Sequence, residues 1–365
     1  MRLAVLLEQV LAPVPGGTGR YSIELAGALA ATAPDGSSVT GWTAWHRDVE
    51  AARTPGVRGP RRLPLPRRPL TLAWERGTGP RPSGTDVVHA PTLLLPPEGR
   101  GALVVTIHDA VPWTHPDTLT PRGVRWHRAM AERAAGHADA IVVPTRAVAD
   151  ELERHLTLRS PVTVTGLGVS GRLALPADAG RARRRLGLPE GPFLLSLATL
   201  EPRKGLDVLV DALARPEAPD VPLLLVGQAG WGDVDPEAFA AAAGLTAGRV
   251  RPLGRLSDTD LAVEHDRATA LVVPSRAEGF GLPVLEAMAA GTAVVTSDAP
   301  ALVEVGGGAT SVTPVGDPAA LAAALDRVIA DAAFRGSLED AGRRRAEHYS
   351  WTATADRMWR LYDQL

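Results

Sequence analysis

The sequence predicts an α/β chain of two doubly wound domains in tandem, each a parallel sheet flanked by helices. Three observations predict it. Short apolar runs alternate with helical patterns along both halves of the chain. The first run, Leu3–Leu7, leads through a glycine-rich turn into a helical pattern, which is how a doubly wound sheet opens. The length, 365 residues, exceeds what a single core of ordinary size fills.

Composition narrows the function. The chain is 45% apolar with a formal charge of −2, so nothing in its global charge points to nucleic acid. It has no cysteine, which excludes disulfides, thiolate nucleophiles and cysteine metal sites. No apolar run approaches the roughly 20 residues of a membrane span. Arg2 and the following apolar residues mimic a short signal peptide, but Glu8 interrupts them, and a first strand explains the run better. A soluble, cytoplasmic protein is expected.

After Leu3–Leu7, Pro15-Gly16-Gly17-Thr18-Gly19-Arg20 predicts a turn, and Tyr21–Ala31 a helix with Ile23, Leu25 and Leu29 on its apolar side. The turn lacks both a dinucleotide fingerprint and a Walker ending. It reads equally as a phosphate-adjacent loop or as a tight turn needing positive φ. Ser38–Thr43 is the second strand. Residues 53–82, rich in Pro, Gly and Arg, show neither strand nor helix period and are expected to form a long surface loop. Five arginines between Arg58 and Arg68 suit an anionic acceptor, a peripheral membrane contact or plain solvation. Strands follow at Asp86–His89, Leu103–Ile107 and Ala140–Val143, with helices over Pro121–Ala135 and Arg146–His155. His108 stands at the carboxyl end of its strand, where open α/β sheets bind ligands; a hydrogen-bonded core imidazole reads the same way. Six parallel strands are expected up to about residue 165.

Residues 166–190, with their glycines, Pro176 and the basic Arg181–Arg185, read as an interdomain linker and a short helix. Strands are then expected at Phe193–Ala198, Val221–Val226, Val250–Leu253, Ala270–Val273 and Ala293–Thr296. Trp351, Met358, Trp359 and Tyr362 recur at helical spacing, so the chain ends in an amphipathic helix. The expected division is 1–170, 171–348 and a closing helix over 349–365.

The most informative stretch is Glu278–Gly291, E-G-F-G-L-P-V-L-E-A-M-A-A-G. A strand ends at Val273, glycines interrupt the loop, and Leu282-Pro283 opens a helix that Gly291 closes. The open N-terminus of such a helix suits an anion, and Gly279 and Gly281 leave room for one. Glu278 and Glu286 are either a solvated residue and a dipole partner or a pair of ligand contacts. Arg203 and Lys204 enter a second helix at its start, where the dipole disfavours cations, so a bound anion would explain them. Asp233-Val234-Asp235 spells a metal-binding D-x-D, but Asp235-Pro236 is an ordinary helix start, and no metal site is expected.

In the order G-G-T-G-R-Y, T-I-H-D, L-E-P-R-K-G, V-G-Q-A-G-W-G, P-S-R-A-E-G-F-G-L-P-V-L-E-A-M-A-A-G and E-V-G-G-G-A, the chain resembles the retaining family 4 glycosyltransferases, nearest to bacterial mannosyltransferases. The resemblance implies the GT-B fold: two Rossmann-like domains, for acceptor and donor, facing across a cleft, with the C-terminal helix crossing back to the first. It implies transfer of a hexose, mannose from GDP-mannose being favoured, to a hydroxyl of a saccharide, lipid-linked or small-molecule acceptor, without cofactor or metal. Arg203 and Lys204 would bind and stabilise the leaving diphosphate, Glu278 the transferred sugar, and the amides of Phe280, Gly281 and Leu282 the sugar and phosphate. Glu286 would hold the ribose, and Arg255, within Leu253–Leu256, would lie near the base. His108 would hydrogen-bond the sugar, and Gly16 and Gly17 would admit the diphosphate and acceptor. Where some lipid-directed members carry a further arginine, this chain has Ala198. A sugar-nucleotide epimerase and a non-catalytic sugar-nucleotide-binding protein share the architecture.

Overall fold

The computed structural model describes all 365 residues and divides them into two compact units. Unit 1 comprises Met1–Thr114, Thr120–Gly168 and Ser350–Leu365; unit 2 comprises His115–Leu119 and Val169–Tyr349. No helix is long and apolar enough to cross a membrane.

Unit 1 is built on seven strands, β1 (Arg2–Leu6), β2 (Ser38–Trp45), β3 (Arg58–Pro66), β4 (Val87–Ala90), β5 (Ala102–Thr106), β6 (Ala140–Val143) and β7 (Val162–Val164). They lie in the order β3-β2-β1-β4-β5-β6-β7. Every pairing is parallel. Every residue of β4 and β6 is buried, which is why these strands read as continuous apolar runs rather than alternating ones. The strand order reverses between β1 and β4, and the carboxyl ends there form the crevice in which such sheets hold ligands.

The C-terminal helix Trp351–Tyr362 belongs to this unit, capped by the Ser350 hydroxyl. It buries Trp351, Met358, Trp359 and Tyr362 against the helix Gly16–Ala31, and Trp359 Nε1 donates to Leu29 O at 3.2 Å. That first helix begins at Gly16 rather than Tyr21, so the predicted glycine turn is its first turn.

Residues 53–82 depart from the expected loop: β3 occupies Arg58–Pro66 and a helix occupies Arg67–Glu75. β3 is an edge strand, where proline is tolerated because its missing N–H faces no partner. Its pairing with β2 sets Trp42 opposite Arg61 and Trp45 opposite Pro66, with register shifts between. Leu63 on the strand and Leu70 and Trp74 on the helix, each at most 2% exposed, anchor the segment in the unit 1 core.

Unit 2 repeats the plan with β8 (Leu194–Leu197), β9 (Leu223–Val226), β10 (Val250–Gly254), β11 (Ala270–Val273), β12 (Ala293–Ser297) and β13 (Ser311–Thr313). The order is β10-β9-β8-β11-β12-β13, again wholly parallel and reversing between β8 and β11. The short segment His115–Leu119 counts with this unit, where the Trp231 indole donates to Thr118 O at 2.7 Å.

Candidate functional site

At the switch point of unit 2, the chain leaves β8, makes a 3-10 turn over Pro202–Lys204, and enters the helix Leu206–Leu213 through Gly205. Gly205 has φ +65°, and a Cβ there would meet Pro274 O at 2.2 Å, so only glycine lets this turn lie against the end of β11. Arg276 reinforces the contact: its N–H donates to Arg203 O at 2.8 Å and its guanidinium reaches Asp207 at 2.5 Å. The close approach brings the cations of one loop onto the carboxylate of the next.

Glu278 is the hub of that cluster. One carboxylate oxygen accepts from Lys204 Nζ at 2.6 Å and from Ser275 Oγ at 2.7 Å, and the other from Arg203 Nη1 at 3.0 Å. Arg203 also donates to Ala277 O at 2.8 Å and to Glu201 at 2.5 Å. Burial alone would push the Glu278 carboxyl up, but Lys204 and Arg203 outweigh it and hold it down to about 2. Burial raises Glu201, against the pull of Arg203 and Lys204.

Two carboxylates therefore balance the two cations within the protein, whereas the sequence points to an anion as their partner. Arg203 is held on three sides by protein oxygens, while Lys204 makes one hydrogen bond, to Glu278, and an ammonium has three N–H donors. Glu201 is the residue sequence reasoning passed over. It is 2% exposed, and its position two residues before the arginine was the only signal.

The helix Leu282–Ala290 begins beside this cluster, with Gly281 at φ 88° as its N-cap and no side chain capping it. A Cβ on Gly281 would meet Leu302 Cδ2 at 2.5 Å. Phe280 is buried edge-on against Tyr349 at 5.5 Å, which fixes the loop. The amides of Phe280, Gly281 and Leu282 precede any helical acceptor and open on the helix N-terminus. One turn in, Glu286 lines a cavity of about 400 Å³ in unit 2, together with His265, Asp266, Ala262, Leu173 and Leu175. Arg255, exposed beyond β10, does not line this cavity. Asp235 accepts from the N–H groups of Glu237 and Ala238 and so serves as a helix cap.

The remaining predicted residues belong to unit 1. Gly16 and Gly17 are exposed at the first turn of their helix, and Gly16, at φ +61°, has open space where a side chain would stand. His108 follows β5 at the ligand end of the sheet. Its Nε2–H donates to Pro91 O at 2.7 Å, which fixes the tautomer and leaves Nδ1 as a hydrogen-bond acceptor. The Tyr21 ring stands edge-on to it at 4.7 Å. Burial lowers the pKa of His108 against the opposing pulls of the Pro91 carbonyl and Asp109, so the ring is held towards its neutral form. Behind it runs a buried chain of neutral groups: Tyr21 Oη to Thr106 Oγ1 at 3.1 Å, Thr106 to His89 Nε2 at 2.8 Å, and His89 Nδ1 to Tyr362 Oη at 2.6 Å.

Comparison with known proteins bears on the family and the fold. Residues 15–170 match the family described as Glycosyltransferase Family 4, and residues 178–345 match Glycosyl transferases group 1. Over 73% of this chain and 71% of the relative, it is 30% identical to O-antigen chain mannosyltransferase B of Escherichia coli. Over 63% of this chain it is 35% identical to a D-inositol 3-phosphate glycosyltransferase of Stackebrandtia nassauensis, of whose length it spans 55%. Sucrose-phosphate synthase from Thermosynechococcus elongatus superposes with a TM-score of 0.79 at 26% identity, covering 100% of this chain and 98% of that one. The chain is a glycosyltransferase of family 4, with the GT-B fold.

Proposed function

We propose that the protein transfers a hexose, mannose from GDP-mannose in the first instance, to an acceptor hydroxyl with retention of configuration. The observation that carries this reading is the Lys204–Arg203–Glu278 cluster beside the uncapped helix Leu282–Ala290. As the bond to the sugar breaks, the nucleoside diphosphate gains negative charge while the sugar becomes cationic. Preorganised cations and amides aimed at the leaving group stabilise that state more than the ground state. Lys204 supplies the mobile positive charge, Arg203 holds the frame, and the amides of Phe280–Leu282 take phosphate or sugar oxygens. Glu278 orders the cations and keeps acceptor capacity on one oxygen for a sugar hydroxyl. The cavity at Glu286 suits a nucleoside, with the carboxylate on ribose hydroxyls. Mannose is favoured by the Escherichia coli relative's name, whereas the Stackebrandtia name specifies only a glycosyltransferase acting on a phosphorylated polyol.

The test is a thermal-shift panel of GDP, UDP, GDP-mannose and UDP-glucose, followed by turnover with the preferred donor, with and without acceptors. A ligand at 100 times its Kd stabilises by about 2.7 kcal/mol, well within detection. Transfer that proceeds in excess EDTA is expected, because Lys204 and Arg203 take the place of a divalent ion. Loss of turnover in EDTA, restored by Mn²⁺ or Mg²⁺, would overturn metal independence. Release of an epimerised sugar without acceptor would make the protein an epimerase instead.

A further inference from the structure

We propose that Glu201 takes up a proton from solvent as the diphosphate of the donor binds, which turns a charge-balanced cluster into a cationic one. Resting on the reading of Arg203 and Lys204 as the diphosphate site, this makes Glu201 a positioning residue that acts through Arg203.

Arg203 and Lys204 bring two positive charges to the switch point of unit 2, and Glu201 and Glu278 bring two negative ones. None of the four side chains is more than 16% exposed, so water does little to separate them. Their sum is zero before any ligand arrives. Each phosphate of a sugar nucleotide is ionised. Set against a neutral, part-buried cluster, a diphosphate gains little from cations whose charge the carboxylates already cancel, and it loses its own hydration. Tight binding calls for one carboxylate to give up its charge.

The hydrogen bonds select which one. The Glu278 carboxylate accepts from Lys204, Arg203 and Ser275, and three such bonds favour the ionised form. The Glu201 carboxylate accepts only from Arg203 Nη2, on Oε1 at 2.5 Å, so its second oxygen is the place for a proton. A protonated carboxyl keeps an acceptor oxygen, so the bond to Arg203 survives the uptake. The guanidinium stays in its frame, held also by Ala277 O and Glu278, while Glu201 no longer cancels its charge.

The surrounding charges point the same way. Burial raises the pKa of Glu201 and Glu278 adds to the rise, while Arg203 and Lys204 oppose it; these are the charged groups that face it. A diphosphate seated on the two cations adds a further negative charge, which disfavours the ionised carboxyl again. The same field leaves Glu278 ionised, because Glu278 starts from about 2. A site that takes up a proton on binding loses affinity as pH rises, by up to about tenfold per pH unit where uptake is complete. Attraction between fixed cations and a fixed diphosphate has no such slope.

Isothermal titration calorimetry of the full chain with GDP-mannose and with UDP-glucose tests this, in HEPES and in Tris, whose ionisation enthalpies differ. Neither ligand titrates between about pH 7 and 8.5, so the protons counted from the buffer difference belong to the protein. With whichever donor binds, uptake of up to about one proton is expected, and affinity should fall across that range. Glu201→Gln imitates the protonated side chain. It should bind without proton uptake, with an affinity that stays level over the range and exceeds that of wild type at its upper end. Wild-type binding without uptake overturns the proposal. So does uptake that persists in Glu201→Gln, which would assign the proton to another group such as His265. A Glu201→Gln protein with the wild-type melting temperature that binds neither donor overturns it as well, since a neutral side chain is what the bound state contains. Donor binding with no proton counted leaves the diphosphate reading standing; failure of wild type to bind either donor overturns that reading, and this proposal with it.

Discussion

The two units share one strand order, reversing between the first and fourth strand of each, yet they place opposite kinds of chemistry at that point. Unit 1 holds Tyr21, Thr106, His89 and Tyr362, all at most 1% exposed and linked end to end by neutral hydrogen bonds. Burial, aided by the nearby His108, holds His89 down to about 3, so it carries no charge at neutral pH. Unit 2 holds Arg203, Lys204, Glu201 and Glu278, with side chains between 2% and 16% exposed and joined as ion pairs. A neutral network tolerates burial because each member is satisfied. A charge cluster tolerates it only while both signs are present, and removing one leaves an uncompensated charge. Topology alone therefore does not dictate the electrostatics of a switch point; a few residues after the strands do.

The sharpest way to break this contrast is Lys204→Ala. If the lysine stabilises the departing diphosphate, kcat should fall by roughly 10²–10³, as when one preorganised charge-stabilising donor is lost. Steady-state kinetics with saturating acceptor measure this. A variant with near-wild-type kcat and only weaker donor binding would make Lys204 a ground-state contact.

The two glutamates of unit 2 should then fail differently. Glu278 orders both cations, so Glu278→Gln should lower kcat by roughly tenfold or more, with a smaller change in donor KM. Glu286 lies a turn into the helix, in the cavity assigned to the nucleoside, which changes little as the sugar bond breaks. Glu286→Ala should raise donor KM and leave kcat within a few-fold, the mark of uniform binding. The same pattern in both variants, or an exchange of roles, would mean the donor runs along this loop differently.

How much of this was legible in the sequence depended on whether the signal was local. Glu278–Gly291 announced itself because Pro283 marks a helix start and Gly291 a left-handed cap, found at φ 79°. β3 was hidden because its prolines and arginines mask the Leu63 and Leu65 alternation, and an edge strand needs little more than one apolar face. β13 is three residues long, Ser311–Thr313, with no apolar run to read. The network in unit 1 joins residues 17, 85 and 273 positions apart, so no window along the chain contains it. Glu201 lay inside a motif that was read, but only the fold shows its carboxylate turned onto Arg203.

A third test concerns a buried carboxylate outside the cluster. Glu264, on the helix Asp258–Arg267, is fully buried, and neither of its oxygens has a hydrogen-bond partner. Burial raises its pKa to about 7, Arg251 pulling it down and Asp260 up. The folded value thus lies above the unfolded one. The unfolded chain loses this proton first as pH rises, so Glu264 lowers stability progressively between the unfolded value and about pH 7. Glu264→Gln removes that linkage, and should be up to about 3 kcal/mol more stable than wild type at pH 8, the gain shrinking towards pH 5. Urea titrations at the two pH values check it; a gain independent of pH would mean Glu264 is not the titrating group.

The smallest expected effect probes the neutral side of the contrast. Tyr362→Phe keeps the ring that packs edge-on to Trp359 at 5.7 Å and removes only the hydroxyl bonded to His89. His89 Nδ1 is then left buried without a partner, and because the imidazole is neutral the loss is that of one unsatisfied polar group, about 1–3 kcal/mol. It should appear as faster amide exchange in the last turn of Trp351–Tyr362, since that end of the helix loses its bond to β4 while Thr354 and Arg357 keep theirs to Thr165 O. The thermal shift produced by GDP or UDP should not change, because no charge has been left uncompensated and the residues proposed to hold the nucleoside diphosphate, Arg203, Lys204 and Glu286, lie in unit 2. A network that matters only for packing would show wild-type stability here, and one coupled to the charge cluster would change nucleotide binding as well. Either result would erase the distinction between a site made of satisfied neutral groups and one made of balanced charges.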